Sequence, residues 1–578
     1  MSSSIQGVSP VSTPEPHALD RMLHAAQGKL TLGVSPLAHS MAMLDWAAHL
    51  ANSPFRQMEL ARLAMEQGAK LASAAISGET VIKPDPHDHR FSTDAWQRAP
   101  FSLLQQSFLA VEHWWDEATR GPGGVDRLND RIVSFTTRQM LDAVSPSNIP
   151  WLNPEVMNAM LRSRGQNLVK GYENWLADLQ ESTSGNPAPI EGLKVGQDLA
   201  ATPGKVVLRN DLMELIQYSP TTGEVRPEPI LIVPAWIMKY YILDLSPHNS
   251  LVKYLVDQGH TVFCISWRNP GEELRDKSLD DYRREGPLAA LDAIEAICGA
   301  DRKVHICGYC LGGTLVAVTA AAMAREGDER LGSVTLFAAQ TDFSEAGELQ
   351  LFINEDQLSF LEDVMSTQGY LDSRQMAGAF QLLRSNDLIW SRLVKSYMLG
   401  ERELPNDLMT WNADGTRMPA RMHSEYLRHF FLNNDLAAGH LIVDGRPISV
   451  SDIRVPIFAV GTETDHVAPW RSVQKVQLLR DGEVTFVLTS GGHNAGIVSE
   501  PGHPHRSYRV HEHLAGERYL GPDEWLSVAE KRDGSWWLEW AAWLGRHSGE
   551  PVPPPPTGAT DRGYAALADA PGQYVFER

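Results

Sequence analysis

The pattern of apolar and polar positions divides the chain into two parts. Across residues 18–182, apolar and aromatic side chains recur at three- and four-residue spacing, as in 41–50 and 108–115, which predicts amphipathic helices. Such faces usually cover a core, and a face that binds another helix is the alternative. We therefore predict a helical N-terminal domain over residues 18–195, preceded by a Ser- and Pro-rich segment, 1–17, that we expect to be disordered.

A second pattern follows the Ser-, Gly- and Pro-rich stretch at 181–189. Short apolar runs typical of buried strands alternate there with helical stretches at 249–258 and 279–298. The predicted strands cover 205–208, 213–218, 230–233, 261–267, 304–307, 334–338, 455–460 and 484–489. This alternation indicates an α/β fold with a largely parallel sheet covered by helices on both faces, and ligands are then expected at the carboxyl ends of the strands.

Helical, aromatic-rich sequence interrupts the alternation over residues 341–448. Helices inserted at this place in such a sheet are expected to form a cap over the site. The cap divides the α/β core into a first part, 196–340, and a second part, 449–548. Residues 549–578 begin with a Pro-rich run and are predicted to leave the core as a C-terminal surface tail.

Composition narrows the function classes. A chain of 578 residues is expected to contain two or three domains, and its net charge of −21 argues against nucleic-acid binding. Four cysteines without even spacing suggest a reducing compartment. The N-terminus lacks a signal-peptide pattern, and no run approaches the roughly 20 apolar residues of a transmembrane helix. We expect a cytoplasmic protein without a transmembrane segment.

A Gly-x-Cys-x-Gly motif centred on Cys310 stands between a predicted strand and a predicted helix at 315–325. This is the nucleophile-elbow pattern with cysteine in place of serine. Gly308 and Gly312 are small enough to let the chain fold back on itself. The first turn of the following helix favours a thiolate and offers the Leu311 N–H as an oxyanion donor.

Other interpretations of this cysteine stay open at this point. Free cysteines are often simply buried, and Cys307 and Cys310 form a C-x-x-C pair, which also suggests thiol–disulfide exchange or zinc. A zinc site would need further ligands, and the remaining cysteines, Cys264 and Cys298, are isolated in a predicted strand and near a helix end. We expect no metal.

An elbow nucleophile requires an acid and then a histidine, each just beyond a strand, because all three must meet at one edge of the sheet. Asp465 follows the predicted strand 455–460, and His493 follows the next. We predict Cys310, His493 and Asp465 as the catalytic residues. The competing acids are Asp342 and Glu463, and the competing base is His466.

Several long strings around these residues resemble the polyhydroxyalkanoate synthases, most closely the class I type. The similarity runs from about residue 142 to the helix after His493. Its strings are Asp142-Ala-Val-Ser-Pro-Ser-Asn-Ile-Pro150, Val233-Pro-Ala-Trp-Ile-Met-Lys-Tyr-Tyr-Ile-Leu-Asp-Leu245, Gly259-His-Thr-Val-Phe-Cys-Ile-Ser-Trp-Arg-Asn-Pro270, Gly308-Tyr-Cys-Leu-Gly-Gly313, Leu336-Phe-Ala-Ala-Gln-Thr-Asp-Phe343 and Thr410-Trp-Asn-Ala-Asp-Gly-Thr416.

The resemblance implies an α/β-hydrolase fold with an inserted helical cap, and a homodimer. It further implies polymerisation of (R)-3-hydroxyacyl-coenzyme A, with short side chains such as 3-hydroxybutyryl, into polyester on cytoplasmic granules. Coenzyme A is part of the substrate, and no separate cofactor is expected. Cys310 would be the acylated nucleophile, His493 the base and Asp465 the catalytic carboxylate.

One loop departs from the family pattern. The family usually has Ile-Asn-Lys after the third strand, where this chain has Ile237-Met238-Lys239. A role for the Asn side chain is therefore in doubt, whereas a backbone oxyanion donor at Ile237 is compatible with the change.

Thioester chemistry independently favours cysteine. Acyl transfer from coenzyme A to a thiol exchanges one thioester for another, and attack by a hydroxyl then forms the more stable ester. Two alternatives remain: a Cys-dependent α/β-hydrolase of the dienelactone type, and a catalytically silent granule-associated scaffold. Whether Asp465 orients His493 or itself deprotonates the hydroxyl is also open.

Overall fold

The computed structural model describes residues 17–31, 33–85, 88–184, 193–383, 385–402 and 404–578. Residues 1–16, which belong to the segment predicted to be disordered, lie outside the described residues. Within the ranges that the structure describes, no helix combines the length and the apolar character needed to cross a bilayer.

An 11-stranded sheet lies at the centre of the described chain. Numbered in chain order, its strands are β1 Gly204–Arg209, β2 Met213–Tyr218, β3 Ile230–Val233, β4 Val262–Trp267, β5 Val304–Tyr309, β6 Leu331–Phe337, β7 Ile457–Thr462, β8 Val484–Thr489, β9 Ser507–His513, β10 Glu530–Asp533 and β11 Ala568–Asp569. Their order across the sheet is β10-β9-β8-β7-β6-β5-β3-β4-β2-β1-β11.

The central strands β4, β3, β5, β6, β7 and β8 run parallel, which confirms the predicted α/β fold. The outer strands at both ends pair antiparallel. β4, β5, β7 and β8 are buried at every position because helices cover both faces of the sheet. That burial explains why apolar residues predominate on both faces of these strands, with few polar residues among them.

The helices fall into four groups, numbered together in chain order. The N-terminal group is α1 Ala18–Leu30, α2 Pro36–Ala51, α3 Pro54–Ser77, α4 Phe101–Thr119, α5 Arg127–Ala143, α6 Pro154–Ser163 and α7 Gln166–Ser184. The next helices are α8 Leu251–Asp257, α9 Leu279–Arg283, α10 Ala289–Cys298 and α11 Leu311–Glu326. Between β6 and β7 lie α12 Glu355–Gln368, α13 Ser373–Leu383, α14 Asp407–Ala413, α15 Ala420–Tyr426 and α16 Asp435–Ala438. The last are α17 Trp470–Gln474, α18 Val476–Leu479, α19 Pro522–Val528 and α20 Trp537–Arg546.

Buried tryptophans at the start of α20 hold the loop that follows β8. The indole of Trp536 donates to the carbonyl of Gly496 at 3.0 Å, and that of Trp537 donates to the carbonyl of Ile497 at 2.9 Å. Both side chains are buried, so these indoles combine apolar packing with a satisfied donor. The loop after β8, which contains His493, is therefore held in place by hydrogen bonds from α20.

Helix α7 of the N-terminal group packs directly against the inserted helices. A Cβ atom at Gly171 would lie 1.8 Å from the carbonyl oxygen of Tyr397, so the two backbones touch. Asn167 donates to the carbonyl of Met398 at 2.7 Å, and the Tyr397 hydroxyl donates to Asp178 at 2.7 Å. The inserted segment is thus held by the N-terminal helices as well as by the sheet.

A second contact joins α12 to the loop between α1 and α2. The buried Gln357 side chain accepts from the N–H of Ser35 at 2.7 Å and donates to the carbonyl of Gly33 at 2.6 Å. Nearby, a Cβ atom at Gly28 would lie 2.6 Å from a methyl group of Val364. The N-terminal helices therefore contact the inserted segment at several separate places, including a contact of Arg131 in α5 with the carbonyl of Gly347.

The prediction that residues 549–578 leave the core as a surface tail is wrong, because this segment packs along the sheet. Val552 and Val225 exchange main-chain hydrogen bonds of 2.8 Å, and the Gln217 side chain donates to the carbonyl of Pro556 at 2.9 Å. β11 then adds an antiparallel strand beside β1. The Pro-rich composition suggested a surface tail, but the chain lies along the edge of the sheet because donors and acceptors there remain to be paired.

We predict that Gly171→Ala loosens the inserted segment, because its methyl group must displace the backbone of Tyr397. The expected cost is about 1–3 kcal/mol, with faster protease cleavage within residues 385–402. Gly68→Ala is the matched control: a helical glycine with nothing within 4 Å of the added Cβ, expected to stabilise α3 by about 0.5–1 kcal/mol. Thermal unfolding and mapped proteolysis measure both. Equal resistance of the two variants would contradict the contact.

Candidate active site

Cys310 occupies the sharp turn between β5 and α11. Its backbone angles, φ 53° and ψ −122°, lie in a region that non-glycine residues rarely adopt, at a cost of about 1–3 kcal/mol. Its N–H donates to the carbonyl of Phe337 at 2.9 Å, and its own carbonyl accepts from the N–H of Gly313 at 2.9 Å. The turn is thus held from both sides, and Cys310 remains partly exposed.

Glycines around Cys310 make this turn sterically feasible. A Cβ atom at Gly308 would lie 2.5 Å from the carbonyl oxygen of Gly312. One at Gly312 would lie 2.1 Å from the carbonyl oxygen of Val233, at the end of β3. The motif glycines therefore allow the elbow to close and bring the loop after β3 against it.

His493 and Asp465 meet at the carboxyl edge of the sheet. His493 Nδ1 lies 2.8 Å from Asp465 Oδ2, and the Asp465 side chain has no exposed surface. Because a carboxylate only accepts, Nδ1 carries the proton and Nε2 is left unpaired by Asp465, while Cys310 lies close enough for its charge to raise the pKa of His493. The structure therefore brings the three predicted residues together.

Three further donors fix Asp465. Its Oδ2 accepts from the Thr462 hydroxyl at 2.9 Å, and its Oδ1 accepts from the N–H groups of Val467 and Ala468 at 2.8 Å each. Both oxygens are satisfied, so the carboxylate has a single orientation toward His493. The sequence pattern missed Thr462, although it is the last residue of β7 and therefore lies at the same edge.

Charge favours an ion pair at this site. Burial lowers the pKa of His493, but Asp465 and Cys310 outweigh it and raise that pKa well above its ordinary value. Burial raises the pKa of Asp465, but the charge of His493 and the hydrogen bonds to the carboxylate hold it below its ordinary value. The arrangement thus stabilises an imidazolium beside Cys310, as a proton-accepting base requires.

The two predicted oxyanion donors belong to neighbouring segments, since Gly312 of the elbow touches the end of β3. Leu311 is the first residue of α11, and Ile237 lies in the loop that follows β3. Among the described residues, neither N–H donates to a protein acceptor. Both donors therefore remain available, and their oxyanion role stays a prediction.

Aromatic side chains surround the nucleophile. The ring of Tyr309 lies 5.5 Å from that of His493, and its hydroxyl donates to Asn494. From the inserted segment, the buried Tyr426 lies close enough to Cys310 for the thiolate charge to add to burial in raising the Tyr426 pKa. Phe431 packs 5.6 Å from Tyr426. Sequence reasoning missed these contacts, because only the fold brings the inserted helices to the elbow.

The competing acids and base are placed elsewhere. Asp342 accepts from Ser344 and Asn434 in the turn after β6. Glu463 and His466 are exposed. The geometry therefore favours Asp465 and His493 over their competitors.

The other cysteines are poor nucleophiles. All four are free thiols. Burial raises the pKa of Cys264 and Cys307 strongly and that of Cys298 to about 12. Cys310 differs from them in having a base beside it.

Comparisons with known proteins identify the family. Family models described as the N-terminus of poly-beta-hydroxybutyrate polymerase match residues 87–255 and 14–56, and one described as the alpha/beta hydrolase fold matches 228–500. The chain is 43% identical to a poly(3-hydroxyalkanoate) polymerase of Methylorubrum extorquens, over 86% of this chain and 82% of that protein. It is 34% identical to the poly(3-hydroxyalkanoate) polymerase subunit PhaC of Cupriavidus necator, over 92% and 90%.

The sheet order and the match over residues 228–500 define the core as an α/β-hydrolase fold with helices inserted between β6 and β7. At 43% identity across most of both chains, the protein belongs to the poly(3-hydroxyalkanoate) polymerase family.

We predict that Asp465→Asn destabilises the fold in a pH-dependent way, by about 2 kcal/mol where both charges are present. Asp465, with a lowered pKa, contributes above its ordinary pKa of 3.8 and loses that contribution as pH falls through the lowered value. His493, with a raised pKa, contributes fully below its ordinary 6.5 and loses that contribution as pH rises through the raised value.

The difference in unfolding temperature between wild type and Asp465→Asn should therefore be largest at about pH 5 and smaller at about pH 10. Thermal unfolding across this range measures it. A difference that does not change with pH would contradict the ion pair.

Proposed function

We propose that the protein polymerises (R)-3-hydroxyacyl-coenzyme A into a polyester and releases coenzyme A, through a thioester on Cys310. The observation that carries this proposal is a cysteine elbow facing a buried His493–Asp465 pair, in a chain of the poly(3-hydroxyalkanoate) polymerase family. No cofactor enters the proposed reaction, since coenzyme A is part of the substrate.

The first step is acylation. His493 Nε2 takes the proton from the Cys310 thiol, and the sulfur forms a bond to the thioester carbonyl carbon. The carbon–sulfur bond to coenzyme A then breaks, and the departing thiolate receives the proton from His493. One thioester replaces another, so the step needs a thiolate more than a large driving force.

The second step is elongation. His493 takes the proton from a 3-hydroxyl group, whose oxygen bonds to the carbonyl carbon held on Cys310. The bond to the cysteine sulfur then breaks, and the sulfur is returned as the thiolate facing an imidazolium. An ester replaces a thioester, which makes this step favourable and gives polymerisation its direction.

Two features support this chemistry, and the second of them disfavours hydrolysis. The N–H groups of Leu311 and Ile237 are proposed to stabilise the oxyanion formed in each step. The buried Tyr426 of the inserted segment lies near Cys310, and Phe430 and Phe431 pack against Tyr426. Exclusion of water by these side chains would protect the thioester from hydrolysis.

Partner and substrate assignments complete the proposal. The N-terminal helices expose large apolar side chains, with Leu30 at 87%, Phe55 at 80% and Ile76 at 89% exposure. Such a surface suits contact with the growing polyester and its granule in the cytoplasm. The class I resemblance further supports a homodimer and a preference for short side chains such as 3-hydroxybutyryl.

Product analysis distinguishes the proposal from its alternatives. Purified protein is incubated with (R)-3-hydroxyacyl-coenzyme A of short and medium side chains, and free thiol, soluble acid and insoluble polymer are measured. Polymer with thiol release supports the proposal. Soluble acid would indicate a hydrolase of the dienelactone type, and the absence of both products a silent scaffold.

We predict that Cys310→Ala abolishes coenzyme A release, because Cys310 is the cysteine that lies beside His493. Cys307→Ala is the matched control: it removes a buried thiol three residues away and should retain most of the activity, less a packing loss of about 1–2 kcal/mol in stability. Thiol release and thermal unfolding are measured for both. Full thiol release by Cys310→Ala would refute the nucleophile assignment.

Asp465→Asn tests the role of the carboxylate. If Asp465 orients His493, both steps slow, elongation more than acylation, because a cysteine retains some thiolate without help. The loss should stay below the roughly 10⁴-fold seen when a serine protease loses this charge. The burst of thiol release in a single turnover is compared with steady-state polymer formation. A burst at the wild-type rate with elongation lost would assign Asp465 directly to the hydroxyl.

A further inference from the structure

The segment that was predicted to be a surface tail ends at the loop after β3. We name residues 568–578 the C-terminal strap. After β11 has paired with β1, the buried Glu214 accepts from the N–H groups of Gln573 at 2.8 Å and Tyr574 at 3.0 Å. Gly572, with φ 83°, allows this approach, since a Cβ atom there would lie 2.3 Å from a Glu214 oxygen. The strap is thereby anchored before it reaches the loop after β3.

Lys239 joins the strap to that loop. Its side chain is 3% exposed, and its Nζ donates to the main-chain carbonyls of Tyr574 at 3.0 Å and Glu577 at 2.8 Å. A buried ammonium group without such acceptors would be costly. Burial accordingly lowers the pKa of Lys239 to about 8, against the opposing attraction of Asp414 and Glu577.

The strap also binds the inserted segment. Asp414 accepts from the Tyr241 hydroxyl at 3.0 Å and from the Arg578 side chain at 3.0 Å. Arg417 donates to the carbonyl of Arg578 at 2.8 Å. One short stretch of chain therefore contacts both the loop after β3 and residues 414–417 of the inserted segment.

Those two segments are paired with each other at the candidate oxyanion loop. The N–H of Thr416 donates to the carbonyl of Ile237 at 3.1 Å, and the Thr416 hydroxyl donates to the carbonyl of Trp236. The N–H of Lys239 donates to the carbonyl of Asp414 at 3.4 Å. The carbonyl side of the loop is thus fixed, while the N–H of Ile237 is left free.

We infer that the C-terminal strap, acting through Lys239 and Asp414, positions the Ile237 N–H as an oxyanion donor for the reaction at Cys310. Lys239 and Asp414 are positioning residues in this inference. The inference rests on the proposed function for its chemistry and on the strap contacts for its geometry.

Met238 explains why the conformation of the loop after β3 depends on contacts with other segments. The side chain at this position is a thioether, a weak acceptor without a donor, so it adds no strong hydrogen bond to hold the loop. The loop is instead held by its main-chain pairing with Asp414 and Thr416 and by the Lys239 bonds to the strap. An oxyanion donor displaced by about 1 Å loses much of its effect.

The test compares two reactions of Cys310 in Lys239→Met. Acylation by p-nitrophenyl acetate forms an oxyanion, whereas alkylation by iodoacetamide needs only the thiolate. We expect acylation to fall about 100-fold through kcat with KM little changed, and alkylation to stay within about twofold of wild type. Lys239→Arg, which keeps a cationic donor, should recover part of the acylation rate.

Lys205→Met is the matched control. It removes a lysine that also binds the strap, at Asp569, but at an exposed position away from the loop. It should leave both reactions unchanged. Arg578→Met is the milder second variant, used if Lys239→Met does not fold, and it should lower acylation in the same selective way by a smaller factor.

The outcomes separate the inference from the proposed function. An unchanged acylation rate, or equal losses in acylation and alkylation, overturns the positioning role. Wild-type protein that is acylated normally but makes no polymer from 3-hydroxybutyryl-coenzyme A overturns the proposed function and leaves the strap comparison intact. Wild-type protein that is alkylated but not acylated overturns the oxyanion site and the strap inference with it.

Discussion

The backbone of Cys310 is the constraint on which the site depends. A non-glycine residue at φ 53° is unfavourable, so the surrounding structure must enforce it. Gly308 lets the turn close on the start of α11, and Gly312 lets the end of β3 approach within a distance that a side chain would prevent. One strained residue thereby sets where the helix begins and where the neighbouring loop lies.

Electrostatics at the site are decided by pairing rather than by burial. Burial alone would leave His493 neutral and raise the pKa of Asp465, yet the pKa of each shifts in the opposite direction because the groups face each other. The two side chains must be held in a fixed relative position. The donors to Asp465 and the tryptophans that bind the loop containing His493 provide this. A charged pair held in this way suits a base that gains and returns a proton twice in each cycle.

The central strands and the elbow could be predicted because each of them is encoded by a short, contiguous stretch of the sequence. The residues of β2, β3 and β8 match the predicted strands at both ends, and the elbow and its two partners follow from their places after strands. β9 and β10 were missed because β10 is the edge strand and β9 lies next to it, where polar and charged residues interrupt the apolar run. The sequence of the strap reads as a surface tail, since nothing local in it indicates a buried lysine elsewhere in the chain.

Long-range contacts also limit what could be predicted from the sequence about the inserted segment. Aromatic content suggested a cover for the site, and Tyr426 does lie beside Cys310. The attachment of the inserted segment to the N-terminal helices depends on single close contacts, such as that of Gly171 with Tyr397. The periodicity of the sequence does not reveal such contacts. The same holds for the join between Lys239 and the strap.

The central claim is that Cys310 carries the acyl group. The most direct measurement is peptide mass analysis after an acid quench of the protein with 3-hydroxybutyryl-coenzyme A. The account predicts a mass increase of one or more 3-hydroxybutyryl units on the peptide that contains Cys310. An acyl group on Cys264, Cys298 or Cys307 instead, or release of coenzyme A with no acylated peptide, would contradict it.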